Sequence, residues 1–184
     1  MDVWVWIAIV AAVVIVAVVA YFAYDQYRRK RLKEGFGPEY ERAVAEAPSR
    51  REAESELAER QKRHAELDIT PLTPAARDRY QGQWDTVQSR FVDDPEGAIR
   101  GADQLIQQVM RERGYPVDDF DRRADEISVD YPEVVEEYRH GHAIAERSAA
   151  GEAETEDLRQ ALVHYRALFE RMLETSDDRE GVRR

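Results

Sequence analysis

Val3 to Tyr24 is an unbroken apolar run of 22 residues, and no other feature limits so sharply what this chain can fold into. A helix of that length reaches about 33 Å, enough to cross a hydrocarbon layer about 30 Å thick. The run is rich in Val and Ile, which favour strands in water. In lipid a lone strand would leave its backbone groups unpaired, so a helix is predicted. Trp4 and Trp6 stand at one end and Tyr21, Phe22 and Tyr24 at the other, where amphipathic rings prefer the lipid–water interface. A cleaved signal peptide fits less well. No basic residue precedes the run, and its exit reads Ala20-Tyr21-Phe22-Ala23-Tyr24-Asp25, bulky where a cleavage site needs small residues. Residues 1–27 are therefore read as a retained transmembrane anchor that meets lipid through 3–24.

The flanks give an orientation. Only Met1 and Asp2 precede the run, whereas Arg28, Arg29, Lys30, Arg31 and Lys33 follow it. Positive charge stays on the cytoplasmic side, so the N-terminus is expected outside and the rest of the chain in the cytoplasm. Export of the domain is the alternative. Trp4, Trp6, Tyr21, Tyr24, Arg28, Arg29, Lys30 and Arg31 are the expected membrane-interface residues. Residues 28–37 form a basic juxtamembrane segment that ends in the break Gly35-Phe36-Gly37-Pro38.

Charge is segregated along the chain. Residues 35–184 hold 22 Lys or Arg against 35 Asp or Glu. A domain of that sign is a poor ligand for nucleic acid, whose binding rests on neutralising phosphates. The sequence has no Cys, which excludes a disulfide scaffold and a thiol nucleophile and suits a reducing compartment. With no Asn it also lacks an N-glycosylation acceptor. Three Lys against 24 Arg, with abundant Ala, Val and Asp, point to GC-rich codons and a bacterial source.

Residues 38–174 read as an acidic, all-α bundle of five or six helices, with 175–184 a charged, disordered tail. Pro48 divides a helical stretch over 38–67, whose second part carries a thin apolar stripe of Ala53, Leu57, His64 and Leu67. Thr73 and Pro74 form a cap-and-proline start for a helix with Tyr80, Trp84, Val87 and Phe91 on one face. Asp94 and Pro95 start the next, with Ile99, Ala102, Leu105, Ile106, Val109 and Met110 at the same period and Gly114 as the stop. A short helix is predicted over 118–127, with a break at Ser128-Val129-Asp130. Asp130 or Tyr131 would then cap a helix ending at Ala149-Ala150-Gly151, and Thr155 would cap the last one.

Little in this pattern carries chemistry. His140 and His142 lie two residues apart, about 200° around a helix, and so cannot share one ion unless the helix breaks at Gly141. Glu137 with His140 is a single Glu-x-x-His match where a di-iron bundle needs two. There is no nucleophile elbow, phosphate-binding loop or dinucleotide fingerprint. No catalytic residue, metal or cofactor is assigned, and the expectation is a protein that is not an enzyme.

At Phe36-Gly37-Pro38-Glu39-Tyr40-Glu41-Arg42 and at Trp84-Asp85-Thr86-Val87-Gln88-Ser89-Arg90-Phe91-Val92-Asp93-Asp94-Pro95 the chain resembles an uncharacterised family of bacterial single-span proteins. Arg113-Gly114-Tyr115-Pro116-Val117-Asp118-Asp119-Phe120, Ser128-Val129-Asp130 and Thr155-Glu156-Asp157-Leu158-Arg159 look like the same family, whose members are often labelled hypothetical membrane or secreted proteins. The resemblance implies a shared helical domain and no catalytic or binding residue.

The expected function is that of a membrane-tethered, non-enzymatic interaction module. It would hold an unknown protein partner at the cytoplasmic face, with the lean helix at 49–67 as the docking surface. Leu57 and His64, with Phe120 and Tyr131 beside the short helix, are the candidate partner-binding residues. Self-association into a homo-oligomer is the first alternative, and a ligand- or metal-binding helical domain the second.

Overall fold

In a computed structural model, residues 3–174 are described. They form eight helices, and among them there is no strand. The all-α expectation holds, with seven helices rather than five or six over 38–174; the expected tail at 175–184 lies outside the described residues. The chain divides into two compact units, 1–58 and 59–184.

The first unit begins with α1 (Val3–Phe36), which continues through the apolar run and the basic cluster as one helix of 34 residues. One stretch of it, Val10–Phe36, is long and apolar enough to cross a membrane, and its apolar window is not buried at all. Gly35 stays helical; the break falls at Gly37, whose φ of 48° and ψ of −122° suit a residue without a Cβ. Pro38 then opens α2 (Pro38–Glu46), where its missing N–H costs nothing. After the turn at Pro48, α3 (Arg50–Ala65) begins, and the boundary between units falls within it.

The buried apolar residues of this unit are Leu32, Phe36, Tyr40, Ala43, Ala53 and Leu57. Glu54, also buried, accepts a hydrogen bond from the Tyr40 hydroxyl at 2.8 Å and faces Arg29 Nε at 3.5 Å. Those contacts tie α2 and the first half of α3 to α1, which is why the division comes at Ala58 rather than at the Gly37 turn.

The second unit holds α4 (Pro74–Arg90), α5 (Pro95–Arg113), α6 (Phe120–Asp130), α7 (Val135–Ala149) and α8 (Thr155–Leu173). The starts of α4 and α5 are those expected: Thr73 accepts from Ala76 N–H at 3.2 Å and Asp94 from Gly97 N–H at 2.8 Å. α8 packs on α7 and α5, and α4 on α5. Trp84, Ile99, Ile106, Met110, Tyr138, Tyr165 and Phe169 fill the centre, each large side chain contributing about 1.5–3 kcal/mol through burial. Gly114 closes α5 at φ 97°, where a Cβ would lie 2.4 Å from the Asp68 carbonyl oxygen.

Three expected boundaries are corrected. α6 runs through Ser128 and Val129 to Asp130, because Ser128 bonds back to the Asp125 carbonyl at 2.6 Å and receives Arg60 at 2.9 Å. Neither Asp130 nor Tyr131 starts the next helix; Tyr131 is the C-cap of α6, and Val134 precedes α7. Glu154, not Thr155, caps α8, its N–H held by the Asp157 carboxylate at 3.1 Å.

Candidate functional site

A set of interlocked polar side chains in the second unit surrounds the C-terminal end of α3. Arg60 and His64 stand one turn apart on α3 and meet side chains of α6 in two layers. In the first layer the Arg60 guanidinium, 2% exposed, pairs with Asp125 at 2.7 Å and donates to Ser128. In the second, His64 Nδ1 lies 3.1 Å from Glu126 and Nε2 lies 3.2 Å from Asp130. Tyr115 adds its hydroxyl as a donor to Asp130, and its ring lies 6.1 Å from that of His64.

This geometry sets the charges. Burial pulls the His64 pKa down, but the carboxylates of Asp130 and Glu126 outweigh it and hold the imidazole above its usual range. For Asp130 burial pushes upward, yet His64 and Tyr115 prevail and keep its carboxyl below the usual range. Burial, with Tyr131 and Asp130 nearby, pushes the Tyr115 phenol well up. Both ring nitrogens of His64 thus face carboxylates, the arrangement of a clamp between helices. A general base would need one nitrogen turned toward a substrate.

A second node lies beside it. Arg113, buried at the end of α5, donates to the Tyr131 hydroxyl, to the Met172 carbonyl at 3.1 Å and to the Thr70 carbonyl at 3.3 Å. It joins the connector before α4 to α5, α6 and α8. Arg123 does similar work on α6, donating to the Tyr138 hydroxyl and the Val117 carbonyl, each at 3.2 Å. Burial raises the Tyr138 pKa to about 12.

The four residues expected to bind a partner are scattered and mostly enclosed. Leu57 and Tyr131 are 0% exposed, so neither offers a surface. The thin stripe of α3 is covered at Ala53 and Leu57, which corrects the expectation of an open apolar face there. His64 is committed to the clamp. Phe120 is half-buried, its ring stacked on His142 at 3.6 Å with planes 8° apart. These two line a groove of about 310 Å³ with Asp119, Asp121, Arg139 and Glu146.

α7 is unbroken at Gly141, and His140 and His142 diverge as a helix requires. His140 is exposed and lies 3.5 Å from Glu136, while burial beside Phe120 pulls the His142 pKa down. Among the described residues no group of three or more His, Asp or Glu is placed to hold a metal ion.

On the first unit, Trp4, Trp6, Tyr21 and Tyr24 are all exposed, at 56–79%. Arg28 donates to the Glu54 carbonyl at 3.4 Å, Arg29 pairs with Asp25 at 2.9 Å, and Lys30 lies 3.8 Å from Glu34. Arg31 is exposed.

Sequence reasoning missed the buried charges: Glu39, Glu54, Arg60, Arg113, Arg123 and Glu126. Over a third of the chain is charged, so composition does not mark them. One pattern did carry a signal, since His64 falls on the apolar stripe of an otherwise charged helix. No known family matches the chain, and no curated protein and no solved structure matches it.

Proposed function

We propose that the chain is a non-enzymatic, membrane-tethered protein-interaction module, anchored by α1 with its N-terminus outside and its helical units in the cytoplasm. The observation that carries this reading is the pairing of an exposed, wholly apolar helix end with a second unit whose best-placed polar groups are spent on one another. The basic cluster after the apolar run supports the orientation. With Leu57 and Tyr131 enclosed, recognition falls to charge: residues 59–184 carry 19 Lys or Arg against 29 Asp or Glu. The partner fitting such a surface is a protein with a basic face.

Two measurements test this. Glu152, exposed in the loop between α7 and α8, takes a cysteine without the positive φ of the neighbouring Gly151. Glu152→Cys should react with a membrane-impermeant maleimide only after lysis; labelling of intact cells reverses the orientation. Cross-linked partners recovered from native membranes should decline in yield as salt rises from 50 to 500 mM, by about tenfold for a recognition of this kind. Recovery indifferent to salt rejects the charged surface. Recovery of the chain itself identifies a second copy as the partner.

A further inference from the structure

The first unit contains a groove of about 570 Å³, within the range of small-molecule sites. Its walls are Gln26, Arg29, Lys30 and Lys33 of α1, Tyr40 and Glu41 of α2, and Arg50 at the start of α3. The turn at Gly37 builds it, by bringing α2 and α3 back alongside the basic end of α1.

The groove's charges are unequally occupied. Glu41 is matched by Lys33 at 2.6 Å, and Arg29 divides itself between Asp25 at 2.9 Å and Glu54 at 3.5 Å. The Tyr40 hydroxyl is spent on Glu54. Lys30 has only a 3.8 Å contact with Glu34 and is three-quarters exposed. The positive charge of Arg50 acts on Tyr40 and Glu41 across the groove, with no carboxylate in ion-pairing range of it among the described residues. Two cations are therefore left facing the opening. Lys30 follows Tyr24 by six residues, about 9 Å along the helix, at the outer edge of a headgroup layer about 5–8 Å deep.

We propose that this groove seats the phosphodiester of an anionic phospholipid, held by the ammonium of Lys30 and the guanidinium of Arg50. The proposal rests on the reading of α1 as a membrane span. A monoanionic diester neutralises one of these two charges and lies between both, since a guanidinium grips two of its oxygens at once while an ammonium acts as a point charge. A free phosphate has the same chemistry, and the test separates the two sources.

The full chain is expressed in membranes, extracted with alkaline carbonate, then taken into non-ionic detergent and studied by native mass spectrometry. Phosphatidylglycerol, phosphatidylcholine and inorganic phosphate are the probes. The wild type is compared with K30Q/R50Q and with R31Q/R51Q, which removes the same charge from outside the groove. Circular dichroism confirms that all three fold alike. The expected result is a chain that stays with the membrane, retains one phosphatidylglycerol in preference to phosphatidylcholine, and loses affinity about thirtyfold in K30Q/R50Q alone, at about 1 kcal/mol per cation. Equal retention by wild type and K30Q/R50Q, or equal weakening by R31Q/R51Q, overturns the groove while leaving the span intact. Displacement of the lipid by equimolar inorganic phosphate overturns the lipid source and assigns the seat to soluble phosphate. Release by carbonate overturns the span, and with it the lipid.

Discussion

Arg60 donates to the Ser128 hydroxyl at 2.9 Å, joining α3 to α6 across 68 residues of chain. The same guanidinium holds Asp125 at 2.7 Å, so one buried cation fixes both the approach of the two helices and the length of the second. Removing it takes from Ser128 its charged donor and from Asp125 its nearer cation, with Arg63 still 4.0 Å from that carboxylate. Arg60→Ala should destabilise the fold by about 3 kcal/mol, read as a lower urea midpoint for the full chain in detergent. A shift under about 0.5 kcal/mol would mean that the contact is ornamental.

The clamp around His64 makes stability depend on pH at both ends. An unfolded imidazole loses its proton near pH 6.5, and the folded value is held above that by Asp130 and Glu126, against burial. The stabilisation is complete below about pH 6.5 and is lost as pH rises through the folded value. Asp130, held low by His64 and Tyr115 against burial, contributes fully above about pH 3.9 and loses its share as pH falls through its own folded value. The urea midpoint should therefore be highest near pH 5–6 and lower at pH 8.5. His64→Gln should flatten the alkaline fall, and an unchanged fall in that variant would remove His64 as its source.

Gly114 ends α5 at φ 97°, with the Asp68 carbonyl where a Cβ would go. Gly114→Ala meets both backbone strain and a 2.4 Å contact, and should cost about 2 kcal/mol or more. Differential scanning calorimetry should show a fall in Tm of about 6–10 °C. No fall would mean that the connector at Asp68 shifts freely.

Leu57 separates packing from recognition. It is 0% exposed, so Leu57→Ala should cost about 2–5 kcal/mol as a cavity-forming change. Partner recovery should decline only in proportion to the unfolded fraction. Loss of recovery with an unchanged urea midpoint would restore Leu57 as a docking residue.

What was legible in the sequence was what short-range chemistry decides. The caps at Thr73 and Asp94, the prolines after them and the stop at Gly114 all act within a turn or two, and the structure places them as expected. α6 was misjudged because Ser128, Val129 and Asp130 are poor helix formers taken alone. Their partners, Arg60 and His64, lie more than sixty residues earlier, and tertiary bonds override local preference. The burial of Leu57 was hidden for a related reason. A helix with few apolar residues looks exposed, but Ala53 and Leu57 are each 0% exposed, so the little apolar face it has there is covered. The clamp itself could be glimpsed only as a histidine on an apolar stripe, because Glu126 and Asp130 are two carboxylates among 38.

The continuity of α1 has a mechanical consequence. Its 34 residues form one helix from the apolar run to the Gly37 turn, so the two halves share a single axis and phase. Any roll of the apolar half reaches the anchorage of α2 undamped. One alanine inserted after Tyr27 would swing the rest of the first unit by about 100° and advance it about 1.5 Å, whereas seven residues would restore the phase to within about 20°. The rod is thus a torque shaft, and its phase is a property that can be dialled residue by residue.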